Sequence, residues 1–437
     1  MVAKSLTQWL SWMESCHPKE IDLGLDRVRE VAQRLGLLHF ACPAVTVAGT
    51  NGKGSSIAAL EALYLDASYQ VGTYTSPHLL FYNERVRING QPVSDVALVE
   101  AFEAIDAARL NLSLTYFEFG TLAALYIFQR AEHFGAPRPL DLILLEVGLG
   151  GRLDAVNIID ADVALITGID LDHQAYLGDT REQIGFEKAG IMRAGQSVVI
   201  GDPVPPQSLL QQAAKLGLTP ILRNQHFFYE DNESSWRWKG ENQQGRSIVF
   251  EQLPYGSLLR SNLGAALQVS QVLPLKVSEN NIRHAMLASV PGRQEYLAGQ
   301  PAYLFDVSHN PQGVAALAEH LATRAVSGRV SALMGALSDK PLLALLQPLL
   351  SFVSEWHLAV LPVARSYDFN ALTDALAHLE HAQAKVHGSV EDALQAVLSQ
   401  AGPADLILVY GSFYTVAAVK RLRMLSASHA LGGGLTQ

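Results

Sequence analysis

Two cysteines in 437 residues, Cys16 and Cys42, cannot build a disulfide framework. That scarcity points to a reducing compartment, the cytoplasm, with both thiols packing. No apolar run reaches the roughly 18 residues that a bilayer crossing needs. The start of the chain lacks a cationic segment followed by an apolar block, so neither a membrane span nor a secretion signal is expected. Positive charge is scarce as well: 32 Lys and Arg face 42 Asp and Glu, a net charge of −10. Nucleic acid needs a basic surface and is a poor partner for such a chain. Small anions stay open, because a few local cations can focus them. No internal repeat of fixed period is present. What remains is 49% hydrophobic and 17% charged, the balance of well-packed domains, and the length allows two or three of them.

The most informative stretch that is present runs from Val45 to Ser56, VTVAGTNGKGSS. A short β-branched run stops in a Gly-rich turn, and Ile57, Leu60, Leu63 and Tyr64 then recur at helical spacing. Strand, loop and helix in this order make a phosphate site. Gly49, Gly52 and Gly54 let backbone N–H groups converge on an anion, and the helix N-terminus adds partial positive charge. Lys53 supplies a full charge, and Ser55 or Ser56 a hydroxyl for Mg²⁺. The standard spacing would put a glycine at Val47, and Gly54 intervenes before Ser55. A Gly-rich turn that only starts a helix is the bland alternative.

Leu6, Trp9, Leu10 and Met13 form a core-facing helical stripe. Apolar runs at 142–147, 163–167, 198–200, 303–307, 330–334, 357–361 and 406–410 read as strands buried on both faces. Helical patterns at 120–129, 311–322, 342–352, 371–379 and 390–398 alternate with them, which implies parallel sheets covered by helices. Residues 224–253 break the pattern, with Trp236 and Trp238 alternating with charged residues, and read as a β-hairpin insertion. Pro291-Gly292 reads as an interdomain joint, and the tail from Ala427 as frayed.

Ligands of such sheets bind beyond the carboxyl ends of the strands. Glu146 stands at one such end, placed either to hold Mg²⁺ or to cap a helix. His173 follows two acids in a turn and by itself reads as structural; Lys188 by itself reads as a solvated charge. Ser76-Pro77-His78 follows a strand at 71–75, and the arginines of Asn83–Ile88 could meet an anion or pair with surface acids. In the second half, Asp306 could bind a ribose hydroxyl, and Ser412 could donate to a carboxylate at a helix N-terminus.

Together, the segments AGTNGKGSS, TSPHL, NERVRI, TYFEFGT, LLEVGLGGRLDAVN, LDH, EKAGI, PGR, FDVSHNP and GSFYT resemble, in order, the folylpolyglutamate synthases. IDLGLDRV and TYFEFGT resemble the bacterial bifunctional branch, dihydrofolate synthase/folylpolyglutamate synthase, within the Mur ligase superfamily. The resemblance implies an α/β protein. A P-loop NTPase-like domain of the Mur ligase central type would span 1–292, and a smaller Rossmann-like glutamate ligase domain 293–437. It implies that Gly49, Thr50, Asn51, Gly52, Lys53, Gly54 and Ser55 hold ATP phosphates, with Asn262, Arg293 and Asp306 as further nucleotide contacts. Ser76, Glu146, His173 and Lys188 (as a carbamate formed with CO₂) would hold two Mg²⁺ ions, with Lys53, His173 and Lys188 catalytic. Ile21, Asp22, Leu23, Arg85, Thr115, Tyr116, Phe117, Glu118, Leu153, Asp154 and Ala155 match the pteroate site, and His309 and Ser412 the glutamate site. Ser308 stands where the family often has Ala, Val156 where it often has Thr, and around Asn262 only the Asn and a small neighbour match.

The implied reaction joins L-glutamate to dihydropteroate and to tetrahydrofolate through an acyl phosphate, in a cytoplasmic monomer, with closure at Pro291-Gly292 excluding water. Folylpolyglutamate synthase activity alone is the near alternative. A Mur-type ligase of peptidoglycan precursors would lack IDLGLDRV and TYFEFGT and carry a further N-terminal domain ahead of the phosphate loop. A nucleotide-hydrolysing switch would need no amino-acid site.

Overall fold

The computed structural model describes residues 4–19, 21–376 and 383–432. The chain divides into two compact units, Met1–Ser289 and Val290–Gln437.

The first unit is built on eight strands: β1 (Ala44–Ala48), β2 (Val71–Tyr74), β3 (Val86–Ile88), β4 (Gln91–Pro92), β5 (Leu142–Glu146), β6 (Val163–Ile166), β7 (Ser197–Ile200) and β8 (Ile221–Leu222). Their order is β4-β3-β2-β5-β1-β6-β7-β8. From β2 to β8 all neighbours are parallel, and β1, β5 and β6 are buried throughout, as continuous apolar runs require. β3 and β4 instead pair antiparallel at one edge. The connection from β2 to β3 is too short for a crossover helix, so the chain turns back. The segment at 83–88, read as one short strand or loop, is a 3₁₀ turn over Tyr82–Arg85 followed by β3.

Helices α1 (Leu6–Cys16), α2 (Asp26–Leu35), α3 (Lys53–Asp66), α4 (Asp95–Arg109), α5 (Tyr116–Gln129), α6 (Gln174–Leu177), α7 (Arg181–Ala189), α8 (Gln207–Lys215), α9 (Arg260–Val272) and α10 (Glu279–Ala285) cover the sheet. Ser5 caps α1 reciprocally with Gln8; Leu6, Trp9 and Met13 are buried, and Leu10 is half-buried. With α2, α4 and α5 they close one core against Tyr74, Ile143 and Leu145. α3 packs beside α9 and α10, and α7 beside α8.

The insertion is larger than a hairpin. It is a three-stranded antiparallel sheet of β9 (Phe228–Asp231), β10 (Trp236–Glu241) and β11 (Ser247–Leu253). β9 escapes sequence reading because it is a short, mostly exposed edge whose two aromatics are adjacent and show no apolar–polar alternation. Trp236 and Trp238 are fully buried. The Trp238 Nε1–H donates to Gly264 O on α9 at 3.0 Å, and its ring stacks on Phe250 at 5.5 Å. The insertion therefore braces α9. Trp238→Ala should cost about 3–5 kcal/mol, the scale for losing a buried aromatic. Urea unfolding followed by far-UV circular dichroism measures this, and a loss below about 1 kcal/mol would show that the insertion is loosely attached.

The second unit carries β12 (Glu295–Leu297), β13 (Ala302–Phe305), β14 (Val330–Met334), β15 (Glu355–Ala359), β16 (Gln383–His387) and β17 (Leu406–Tyr410), ordered β12-β13-β17-β14-β15-β16. Only β12 runs antiparallel to its neighbour. Its helices are α11 (Pro311–Ala322), α12 (Leu342–Leu346), α13 (Phe369–Leu376), α14 (Val390–Leu398) and α15 (Phe413–Gly432). The helix expected over 342–352 stops after Leu346 and gives way to a 3₁₀ turn, Gln347–Leu349. Pro348 has no N–H to continue the ladder. β15 starts two residues earlier than its apolar run suggests, because Glu355 is buried against Lys385 Nζ at 3.3 Å. The tail expected to fray from Ala427 stays helical through Gly432, continuing the α15 run of good helix formers. The rest of that tail, and 377–379 of the helix expected at 371–379, lie outside the described residues. Among the described residues no helix is long and apolar enough to cross a membrane.

Candidate active site

β1 ends at Ala48 and α3 begins at Lys53, so 49–52 form the connecting loop at the carboxyl edge of the sheet. Two glycines are obligatory there. A Cβ on Gly49 would lie 1.7 Å from Thr167 Oγ1, and one on Gly52, at φ 90°, would lie 2.2 Å from Asn262 Oδ1. Asn262 on α9, matched at sequence level by little beyond itself, thus packs directly on the loop. The loop is also laced to the segment after β6. Thr50 N–H donates to Gly168 O at 2.8 Å, Thr50 Oγ1 donates to Asp170 O at 3.0 Å, and Thr167 Oγ1 donates to Asn51 O at 2.7 Å. Gly54 and Ser55 open the first turn of α3. Ser56 is fully buried and its hydroxyl turns to Asn262 O at 3.5 Å, which leaves Ser55 as the hydroxyl of the loop.

Two lysines converge on one carbonyl. Lys53 Nζ donates to Gly49 O at 2.9 Å and to Thr50 O at 3.2 Å, and Lys188 Nζ, on α7, donates to the same Gly49 O at 3.1 Å. Lys188 is only 3% exposed, which overturns its reading as a solvated surface charge. Burial first, then the charge of Lys53, brings its ammonium down to about 7, against Asp172 and Asp154, which pull upward. A lysine so placed is part neutral amine near pH 7 and can act as a nucleophile.

Glu146, at the end of β5, is buried, and its Oε2 accepts the Ser76 N–H at 3.1 Å. A Cβ on Gly54 would lie 3.6 Å from the same oxygen, so the carboxylate faces the first turn of α3. His173 is exposed at the end of the loop that Thr50 holds, at φ 49°, with its N–H on Asp172 Oδ1 at 2.9 Å. Among the described residues no three His, Cys, Asp or Glu side chains form a ready metal cage. One buried carboxylate with a hydroxyl beside an anion loop still fits Mg²⁺. That ion takes few protein ligands and completes its shell with phosphate oxygens and water.

A second group gathers around the start of α5. Thr115 and Glu118 form a reciprocal cap: Thr115 N–H donates to Glu118 Oε2 at 2.7 Å, and Glu118 N–H to Thr115 Oγ1 at 3.2 Å. Arg27 ties Ile21-Asp22-Leu23 to this cap. Its Nη1 lies 2.6 Å from Asp22 Oδ2, and its Nη2 donates to Asp22 O at 3.0 Å and Glu118 Oε1 at 3.3 Å. Hydrogen bonding from Lys19, with Arg27 also near, holds the Asp22 carboxyl below its usual range. Phe117 lies on Gly148, where a Cβ would come 2.6 Å from its ring. Arg85 Nε donates to His78 Nδ1 at 2.9 Å, and its guanidinium lies over the rings of Tyr82 and Tyr116. Asp154 accepts the N–H groups of Leu149 at 2.8 Å and Val156 at 3.0 Å, between half-buried Leu153 and buried Ala155. Burial pushes its carboxyl up to about 6, against those N–H groups and Lys53.

In the second unit, Asp306, His309 and Ser412 stand at the carboxyl ends of β13 and β17. Asp306 is buried and already engaged: Oδ2 accepts Gln294 N–H at 2.8 Å, and Oδ1 accepts both Ser308 N–H and Ser308 Oγ–H. His309 Nδ1 lies 2.9 Å from Val307 O and, since a carbonyl only accepts, must carry the donated proton. Arg293 lies over the Phe413 ring at 5.4 Å, and His309 approaches the same ring. Ser412 caps α15. Thr415 gives its hydroxyl proton to Gly335 O at 2.8 Å, so the Ser412 hydroxyl donates to Thr415 Oγ1 at 2.7 Å rather than outward. Sequence reading passed over Lys340, a buried cation beyond β14 at this same edge, with Asp339 Oδ2 at 3.4 Å. A lysine in the turn after a buried strand was the available signal. Arg27 was likewise missed, although it lies inside IDLGLDRV.

Residues 292–413 match the family model of the Mur ligase glutamate ligase domain. The chain is 41% identical to the dihydrofolate synthase/folylpolyglutamate synthase of Haemophilus influenzae, over 94% of this chain and 96% of that one. It is similarly 41% identical to the enzyme of the same name from Escherichia coli, over 95% of each. Among solved structures, Escherichia coli FolC in complex with DHPP and ADP superposes with a TM-score of 0.90 at 41% identity, covering 97% of this chain and 99% of that one. A bifunctional folylpolyglutamate synthase/dihydrofolate synthase with Mn, AMPPNP and L-glutamate bound gives 0.87 at 41% identity, covering 96% and 98%. Identity at this level along nearly the whole length, together with a strand–loop–helix phosphate site and a buried lysine beside it, places the chain in the dihydrofolate synthase/folylpolyglutamate synthase family of Mur ligases.

Proposed function

We propose that this chain uses ATP to ligate L-glutamate to dihydropteroate, forming dihydrofolate, and to the γ-carboxylate of tetrahydrofolate and its polyglutamates. The observation that carries this reading is the convergence of Lys53 and Lys188 on the Gly49 carbonyl at the phosphate loop. We assign ATP and pterin to residues 1–292 and glutamate to 293–437.

A carboxylate is a poor electrophile until it is phosphorylated. The substrate carboxylate attacks the γ-phosphorus of ATP, the bond to the bridging oxygen breaks, and ADP leaves. The glutamate amine then attacks the acyl carbon, loses a proton, and expels phosphate with its electron pair. Lys53 and the α3 N-terminus hold the phosphates in line. Ser76, Glu146, His173 and Lys188 as a carbamate would hold Mg²⁺, which offsets phosphate charge when bound. The buried, partly neutral Lys188 amine supports carbamate formation, since only the free amine adds to CO₂. Tyr116, Phe117 and Arg85 would offer an aromatic and cationic wall to the pterin, with Asp154 as its polar anchor. His309 and Ser412 would meet glutamate, the latter once its hydroxyl turns from Thr415. Unpaired Cys16 and Cys42 accord with a cytoplasmic enzyme, and we propose that it works as a monomer.

Purified protein with Mg²⁺, ATP and glutamate, given dihydropteroate or tetrahydrofolate in turn, should release ADP and yield a product heavier by one glutamyl unit in each case. Product from tetrahydrofolate alone would restrict the chain to folylpolyglutamate synthesis. Neither ADP nor conjugate with either acid would overturn the reading.

A further inference from the structure

Building on the ligase reading above, we propose that Arg87 is a positioning residue: it sets the Ser76 loop, and through it the Ser76–Glu146 pair, against the phosphate-loop helix.

The Arg87 guanidinium engages three separate segments. Its Nε donates to Glu61 Oε1 at 3.1 Å, and its Nη2 donates to Glu61 Oε2 at 2.8 Å. Its Nη1 donates to Thr75 Oγ1 at 3.1 Å and to Glu84 O at 2.9 Å. Glu61 lies on α3, about two turns beyond Lys53, and is buried. Thr75 immediately precedes Ser76, whose N–H donates to Glu146 Oε2 at 3.1 Å. Glu84 in turn hangs the rest of the loop, its carboxylate accepting the N–H groups of Leu79, Leu80 and Phe81 at 2.7, 2.8 and 2.7 Å. One planar fork therefore fixes the distance between the helix that opens with Lys53 and the loop that presents Ser76.

A fold that needed only cohesion here would have no use for this arrangement. Removing the two charges of a half-buried pair from water is costly, and apolar side chains of similar volume often hold as well or better. What they cannot supply is direction. The bidentate arm grips Glu61 while the other arm points at Thr75 and Glu84, a division of labour that the single nitrogen of lysine cannot reproduce. The arginines of NERVRI, open at the sequence level between meeting an anion and pairing on the surface, thus divide. Arg85 lies over the α5 aromatic group, and Arg87 braces the loop from within.

The test uses the full chain carrying Arg87→Lys and, separately, Thr75→Val, with Mn²⁺ as a paramagnetic probe. Arg87→Lys should weaken Mn²⁺ binding in the presence of AMPPNP by about tenfold or more, the scale for losing a group that orients metal ligands. The Mg²⁺ concentration for half-maximal rate should rise in step, while KM for glutamate stays within about twofold. Thr75→Val, which removes one bond of the fork and keeps side-chain shape, should shift Mn²⁺ binding the same way by about threefold. Thermal unfolding without metal separates loss of fold from loss of position; should Arg87→Lys not fold, Thr75→Val decides. Electron paramagnetic resonance titrations that leave Mn²⁺ affinity within twofold of the parent in the folded variants would overturn the proposal. An inactive parent protein would instead defeat the ligase reading, a separate outcome.

Discussion

Lys53→Ala is expected to lower ligase turnover by about 10²–10³-fold with the fold intact, the scale for losing one preorganised charge aimed at a transition state. Its ammonium rests on the Gly49 and Thr50 carbonyls at the mouth of the loop, where transferred phosphate charge would collect. Lys53 is only half-buried, so thermal unfolding should move by no more than a few degrees. A second effect follows from its neighbour. The Lys53 charge helps to hold the Lys188 ammonium down, so its removal should raise that group and leave less free amine. Steady-state rates with each carboxylic substrate, and the carbamate signal after exchange with ¹³C-bicarbonate, measure both. A variant with parental kcat would remove Lys53 from the mechanism.

Lys188→Met should abolish most activity, by about 10²-fold or more, and yet stabilise the fold in CO₂-free buffer. The buried ammonium has a folded pKa of about 7 against an ordinary value of 10.5. Between those values the unfolded chain binds the extra proton. The burden on stability is absent above pH 10.5, grows as pH falls, and is full below pH 7. Methionine fills similar volume without the charge, so the variant should gain on the order of 3–5 kcal/mol near pH 7 and little near pH 10.5. The ¹³C-carbamate resonance of the parent should vanish in the variant. Retained activity, or a parent that shows no carbamate under saturating CO₂, would sink the role assigned to Lys188.

Much of this architecture was legible along the chain. β14, β17, α11 and α14 fall on the residues their patterns predict, because an apolar run buried on both faces or a one-sided stripe has few alternatives. What escaped were elements whose signal is polar. β9 is an exposed edge, β15 begins at a buried glutamate whose partner lies on another strand, and β3 reverses direction because of a short connection. The site divides in the same way. The glycines and lysine of the loop announce themselves within a dozen residues. Lys188 does not, since nothing in Glu187-Lys188-Ala189 says that the side chain turns inward.

The sequence by itself determined the two α/β halves and the phosphate loop, because period, glycine placement and apolar runs are local properties. Only the tertiary structure decided that Lys188 is buried on the Gly49 carbonyl and that Asn262 closes over Gly52. It also decided that Arg87 joins Glu61 to Thr75. Those pairings join segments far apart in the chain, and the charge state of a buried group depends on everything folded around it, which no stretch of sequence carries.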